Sequence, residues 1–290
     1  MAAPRAKLVP LGDAIAQHVH DGDAVALEGF THLIPFAAAH EIIRQRRREL
    51  TLVRMTPDLV YDQLIGMGCA RRMVFSWGGN PGVGSLHRFR DAVEHAWPRP
   101  LQIEEYSHAA MAAAYQAGAS GLPFAMLHGF VGNDLPRHNA HIRHVRCPYT
   151  NRAFATVPAL NPDVTVLHAQ CADRAGNVMI QGIVGAQKEA ALAARRLLVT
   201  VERVVDEIDL PLNGVLLPHW VVSAVSLVPG GAYPSYAHGH YPRDNGFYLR
   251  WDEVSRERDG FLAWMDEHVL GVADFAGHLD KLRAAALAVA

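Results

Sequence analysis

The stretch best equipped for chemistry runs from Met73 to Glu94, MVFSWGGNPGVGSLHRFRDAVE. Gly78, Gly79, Gly82 and Gly84 fall within seven residues there, after the apolar Met73-Val74-Phe75 and before Leu86, Phe89 and Val93 at helical spacing. The pattern predicts a strand, a glycine-rich turn and a helix with Ser85 as its N-cap. Ser76 and the bare backbone N–H groups of Gly78, Gly79 and Asn80 can then cradle an anion or a developing oxyanion. A crossover turn that only needs positive φ would leave the same sequence. The spacing fits neither G-x-G-x-x-G nor the P-loop, so no nucleotide-binding motif is indicated.

Several side chains could act beside that turn. Glu28 ends an apolar run next to Gly29, as a nucleophile or as a structural carboxylate. Glu104 and Glu105 precede Tyr106 and His108. Neighbouring carboxylates can hold one another protonated for acid–base work, or one is buried and the other solvated. Arg54 follows a strand-like run, where a charge requires either an acid such as Asp58 or a substrate carboxylate. His238 and His240 alternate in a glycine-flanked loop, but no third ligand stands at matching spacing, so no metal is expected.

These residues need elements to hold them. Leu11 to Val19 reads as an amphipathic helix, Ala24 to Leu27 as a strand, and Pro35 as the first turn of a helix closed by Arg44 to Arg48. Leu50 to Met55 and Met73 to Trp77 are two further strands, each followed by a helix. Three strand–turn–helix units in succession predict an α/β fold, a mainly parallel sheet flanked by helices. Its functional crevice should lie at the C-terminal strand ends: Glu28 to His32, Arg54 to Asp58 and Ser76 to Gly84. Leu101 to Glu104 is a short strand and Ser107 to Gly118 a helix. Met126 to Thr150 loses periodicity and reads as an irregular excursion, a lid or partner contact. Strands resume at Ala155 to Leu160, Val164 to Ala169, Val178 to Ile180, Leu197 to Val201, Gly214 to Leu217 and Ser223 to Val228, and the tail is helical. No linker interrupts the chain, which reads as one domain over residues 1–290.

Composition narrows the class. The 27 basic and 29 acidic residues give a net charge of −2, so no electrostatic case exists for nucleic acid or an anionic membrane. The N-terminus has no apolar run of signal length and no stretch is long and apolar enough to span a bilayer. Cys69, Cys147 and Cys171 are odd in number and widely spaced, which fits free thiols in a reducing cytoplasm. Cys69 reads as a small buried thiol.

Taken together, Asp21-Gly22-Asp23 to Phe30, Ser76 to Ser85, His168 to Asn177 and Pro229 to Ala232 resemble the A (alpha) subunit of family I CoA-transferases. The likeness runs from about Leu11 to about Lys281 and includes GFTHLIP, MTPDLVYDQLIG, SWGGNPGVGSLHR and PGGAYPSYAHG. It is strongest to the branch that uses 3-oxo dicarboxylic acids such as 3-oxoadipate, with succinyl-CoA as donor. Glu28 stands where the family's opening signature commonly has a glycine, and His32-Leu33-Ile34-Pro35 replaces the later Gly-x-Pro. The resemblance implies ping-pong transfer of CoA between carboxylic acids through a glutamyl thioester. It places that nucleophilic glutamate on a partner B (beta) subunit of related fold in an α2β2 assembly, so no catalytic residue is expected in this chain. No tightly bound cofactor is implied; the CoA thioester is a substrate. Of this chain's carboxylates, Glu105, Glu104 and Glu28 rank next, the first two because a related steroid ring-opening hydrolase uses an alpha-subunit glutamate there. The acid's second carboxylate calls for a cation, Arg54 or His32. Hydrolysis of a CoA thioester, or non-catalytic ligand binding on the same scaffold, are the alternatives.

Overall fold

The computed structural model describes residues 7–130 and 132–289, with side chains to residue 284. Seven strands run parallel. In chain order they are β1 (Ala24–Leu27), β2 (Leu50–Val53), β3 (Ala70–Phe75), β4 (Gln102–Glu105), β8 (Val164–Asp173), β10 (Arg196–Val205) and β12 (Ala224–Leu227). In space their order is β12-β10-β8-β1-β2-β3-β4. The chain therefore winds from β1 in one direction to β4 and in the other to β12, reversing between β1 and β8. β9 (Val178–Gln181) and β11 (Gly214–Leu217) add an antiparallel extension on the far half of β8. The sheet is thus mainly parallel, as the sequence predicts, with an antiparallel edge.

Alternation along each strand explains the two faces. Val25, Leu52 and Met73 stand in register on one face; Ala26, Val53 and Val74 do so on the other. The first face packs against α1 (Leu11–His18), α2 (Phe36–Arg44), α3 (Leu59–Gly66) and α4 (His87–Glu94), with α8 (Asn245–Val254), α9 (Arg258–Met265) and α10 (Phe275–Val289) outside them. The second packs against α5 (His108–Ala119). α7 (Gln187–Ala193) lies beside α5.

The region expected to be irregular, Met126 to Thr150, carries short elements between its turns. β5 (Phe124–Leu127), β6 (Arg143–Arg146) and β7 (Ala153–Pro158) form a second antiparallel sheet in the order β5-β7-β6, with α6 (Leu135–His138) between β5 and β6. Ala125, Ala155 and Val157 bury one side of it in the α5 cluster. The other side is open, and every residue of β6 is exposed, so burial imposes no alternation there.

Two boundaries also move. β3 starts at Ala70, so Arg71 and Arg72 lie within it. α4 starts at His87 and Ser85 does not cap it; Leu86 is the N-cap, with no side-chain bond. Its first N–H groups are satisfied by α3: Asp62 Oδ1 accepts from Arg88 N (2.8 Å) and Phe89 N (2.9 Å). The anion at this helix terminus is the protein's own carboxylate.

Candidate active site

The predicted strand ends lie side by side, because β1, β2 and β3 are sequential neighbours in the sheet. Side-chain alternation then sorts their polar residues. Glu28 and Ser76 continue the face that meets α5, whereas Arg54 continues the face that meets α3.

Glu28 is buried, and its Oε1 accepts from Tyr115 Oη (2.9 Å) and Met55 N (3.1 Å). Burial pushes its carboxyl above the usual range, opposed by Arg54, Tyr115 and the backbone donors. Met55 O in turn accepts from Ser76 N (3.2 Å) and Ser76 Oγ (2.6 Å). Ser76 Oγ lies 3.2 Å from His108 Nδ1. Because the hydroxyl proton points at Met55 O, Ser76 Oγ is the acceptor and Nδ1–H the donor, a tautomer assigned from the bonding pattern. His108 opens α5, which carries Tyr115 seven residues on. The loop Tyr115–Glu28–Met55–Ser76–His108 thus ties three strand ends to one helix. Glu28 serves as a structural carboxylate, sealed from any acyl group.

Arg54 is buried and bonded on both terminal nitrogens: Nη1 to Asp58 Oδ1 (3.1 Å), Nη2 to Asp58 Oδ2 (3.3 Å) and to Gly29 O. Burial works against its charge, but Asp58, Tyr61 and Glu28 hold its pKa above the ordinary value. Of its two expected partners, the structure supplies Asp58, and no substrate carboxylate can reach the head group. His32 is corrected as well. Its Nδ1 meets Ile183 O (3.1 Å), its Nε2 accepts from His238 N (3.1 Å), and burial lowers its pKa to about 4. A neutral ring with both nitrogens engaged is no anchor for an anion. Thr31 and Leu33 on either side adopt left-handed backbone, and a Cβ on Gly182 would come 2.7 Å from the ring; the turn is built around this imidazole.

Glu104 and Glu105 do not form a pair. As consecutive strand residues they point to opposite faces. Glu104 lies with Arg72 and Val74, ion-paired with Arg72 and bonded by Tyr106 Oη. Glu105 is exposed on the edge strand, its carbonyl accepting from Asn139 Nδ2 (2.8 Å).

The glycine turn closes largely on itself. Gly79 N donates to Pro57 O (3.2 Å), Asn80 N to Gly84 O (2.9 Å) and Asn80 Nδ2 to Tyr248 O (2.9 Å). From Ser76 to Asn80, Gly78 N–H is the backbone donor with no acceptor among the described residues. Phe30, Trp77 and Ile183 surround this edge with 40%, 47% and 49% of their surface exposed. Two other family motifs meet at β8 and β10, where His168 Nε2 bonds Glu202 Oε1 (2.7 Å) and Gly230 N bonds Glu202 Oε2 (2.8 Å). The Pro229-Gly230-Gly231 turn is therefore held by the carboxylate of Glu202, itself bonded to His168.

Sequence reasoning missed Tyr115 and the orienting role of Ser76 on His108. The seven-residue spacing of His108 and Tyr115, two helical turns on one face, was the available signal.

A doubly wound α/β chain with its free backbone donor, oriented imidazole and exposed apolar rim at one set of strand ends has the layout of an enzyme component that works at that edge. The model of the Coenzyme A transferase family matches residues 10–227, and the chain belongs to that family; it is one component of a CoA-transferase. The alpha subunit of the 3-oxoadipate CoA-transferase of Pseudomonas knackmussii is 61% identical over 277 residues, 96% of this chain and 98% of its own. The alpha subunit of the glutaconate CoA-transferase of Acidaminococcus fermentans is 33% identical over 97% of this chain and 93% of its own. A crystal structure of glutaconate coenzyme A-transferase from that organism matches with a TM-score of 0.90 at 32% identity, covering 96% of this chain and 93% of that one. The cholesterol ring-cleaving hydrolase IpdA subunit of Rhodococcus jostii is 25% identical over 94% and 95%.

Proposed function

We propose that this chain is the alpha subunit of an enzyme that moves CoA from a small acyl-CoA such as succinyl-CoA to a 3-oxo dicarboxylic acid such as 3-oxoadipate. The observation that carries the reading is the 61% identity to the Pseudomonas protein over nearly the full length of both chains. The site supports a division of labour. With Glu28 sealed, Glu104 paired with Arg72 and only Glu105 of the three exposed, the reading puts the nucleophilic glutamate on a beta subunit seated on the C-terminal strand edge. That carboxylate attacks the thioester carbonyl and expels CoA thiolate, leaving a mixed anhydride. The thiolate then attacks the glutamyl carbonyl, releasing the donor acid and forming the glutamyl–CoA thioester. The acceptor's carboxylate repeats the two steps in reverse, which divides one hard exchange into easier ones.

This chain contributes Gly78 N–H, aimed from the strand end, as a donor to the carbonyl oxygen that gains charge in each addition. Trp77 and Phe30 help to exclude water, which would hydrolyse the anhydride and thioester. Incubating the purified chain with succinyl-CoA and 3-oxoadipate should give no CoA transfer, and adding the beta subunit should start it. Turnover by the chain alone, or none by the assembled pair, overturns the proposal.

A further inference from the structure

A ping-pong enzyme that accepts two dicarboxylic acids must hold the unreacting carboxylate of each at one place. Neither cation suggested by the sequence is available: Arg54 is locked on Asp58 and Gly29, and His32 is neutral and doubly bonded. His108 differs from both. It is exposed, follows the end of β4, and stands across from the end of β3 where the glycine turn begins. Its ring is not free to wander, because Nδ1–H donates to Ser76 Oγ and Ser76 Oγ–H is fixed on Met55 O.

We infer that His108 is the residue of this chain that binds the second carboxylate of the acid substrates, at Nε2. The inference rests on the CoA-transferase reading and specifies the substrate class of that same site. With Nδ1 committed to Ser76, the ring offers one nitrogen outward in a set direction. Because the ring proton at Nδ1 is committed to Ser76 Oγ, Nε2 donates to a carboxylate only when it carries a second ring proton, so the carboxylate binds together with one proton. Ser76 acts as a positioning residue: it sets the tautomer and the ring plane, and Glu28 fixes Ser76 through Met55.

The test compares acceptors in the assembled two-subunit enzyme. 3-Oxoadipate carries the second carboxylate, and 3-oxohexanoate keeps the chain length and keto group without it. His108→Ala should raise KM for 3-oxoadipate on the order of tenfold or more, the value of a hydrogen bond to a charged group. It should leave kcat/KM for 3-oxohexanoate within about threefold, the margin expected where no such bond is lost. His108→Gln, which can donate without charge, should fall between. Ser76→Ala, which unties the ring, should raise KM for 3-oxoadipate by a smaller factor and serves if His108→Ala fails to assemble. Equal losses on both acceptors would make His108 a structural residue. Unchanged KM in His108→Ala and His108→Gln overturns the inference, as does transfer of the effect to His238→Ala, the exposed imidazole beside His32. Wild-type enzyme unable to use 3-oxoadipate would instead sink the functional reading itself.

Discussion

At the scale of single residues, burial decides which charges are available. Arg54 and Asp58 form a buried pair, and breaking one partner strands the other in a low-dielectric interior. Arg54→Met should therefore cost about 3–5 kcal/mol, whereas the double change Arg54→Met/Asp58→Leu should recover much of that loss. Urea unfolding of the two variants checks it; equal stability of both would contradict the pairing. Asp62 gives a second residue-scale prediction. Burial raises its pKa to about 6, against the pull of the Phe89 N–H, Trp251 and Arg88. Raised above the unfolded value of 3.8, it contributes stability that is full below that value and is lost as pH rises through about 6. That loss amounts to roughly 3 kcal/mol. Asp62→Asn should remove this dependence and make the protein's net loss of stability on acidification steeper between pH 6 and pH 4.

Between elements, a cluster of imidazoles joins the C-terminal helix to the first face of the sheet. His278 on α10 stacks edge-on to His40 of α2 at 4.7 Å and bonds His268 O through Nδ1 (2.9 Å). His40 reaches Gln63 Oε1 of α3 (3.0 Å). Burial, with His268 and Arg44 nearby, lowers the His278 pKa to about 4, and burial with His278 and Arg44 lowers that of His40. Both rings are depressed, so the stability they contribute is present above the unfolded value of 6.5 and is lost as pH falls towards about 4. Protection factors for amide exchange in α10, which correct for the slower chemical exchange in acid, should fall between pH 6.5 and pH 5, ahead of those in β1 and β8. His278→Leu should flatten that dependence while costing about 1 kcal/mol at neutral pH for the lost bond to His268 O. Protection factors in α10 that are independent of pH in the wild type would refute the coupling.

At the scale of the whole molecule, the strand-end surface is an unfinished site: a donor, a fixed imidazole and an apolar rim, with Glu28 sealed, Glu104 paired and Glu105 exposed on β4. Trapping the covalent intermediate tests that division. Borohydride added to the assembled enzyme with acyl-CoA should inactivate it and mark only a glutamate of the beta chain. A mass change at Glu28, Glu104 or Glu105 would return the nucleophile to this chain. Phe30→Asp should weaken assembly with the beta chain and leave the melting of the isolated protein nearly unchanged, because an exposed surface change alters stability by only about 0.5 kcal/mol. Gel filtration and thermal melting separate the two outcomes.

Local spacing in the sequence carries whatever acts within a few residues. The helix expected over Ser107 to Gly118 and Asp58 four residues from Arg54 are of this kind; the structure gives the helix as His108–Ala119, with Ser107 as its cap, and pairs Arg54 with Asp58. The three strand ends named from the sequence are adjacent, because successive strand–helix units wind to neighbouring positions. Of the sheet of β5, β7 and β6, the strand expected at Ala155 to Leu160 corresponds to β7, whereas β6 was hidden because it is exposed on every residue and burial imposes no period. The states of the site residues, by contrast, depend on tertiary contacts. Glu28 depends on Tyr115 across 87 residues, and His32 on Ile183 and His238 across 151 and 206. α4 takes its cap from Asp62 of another helix rather than from Ser85. Charge state and accessibility follow from which distant groups exclude water from a side chain, and nearest-neighbour spacing contains no record of them.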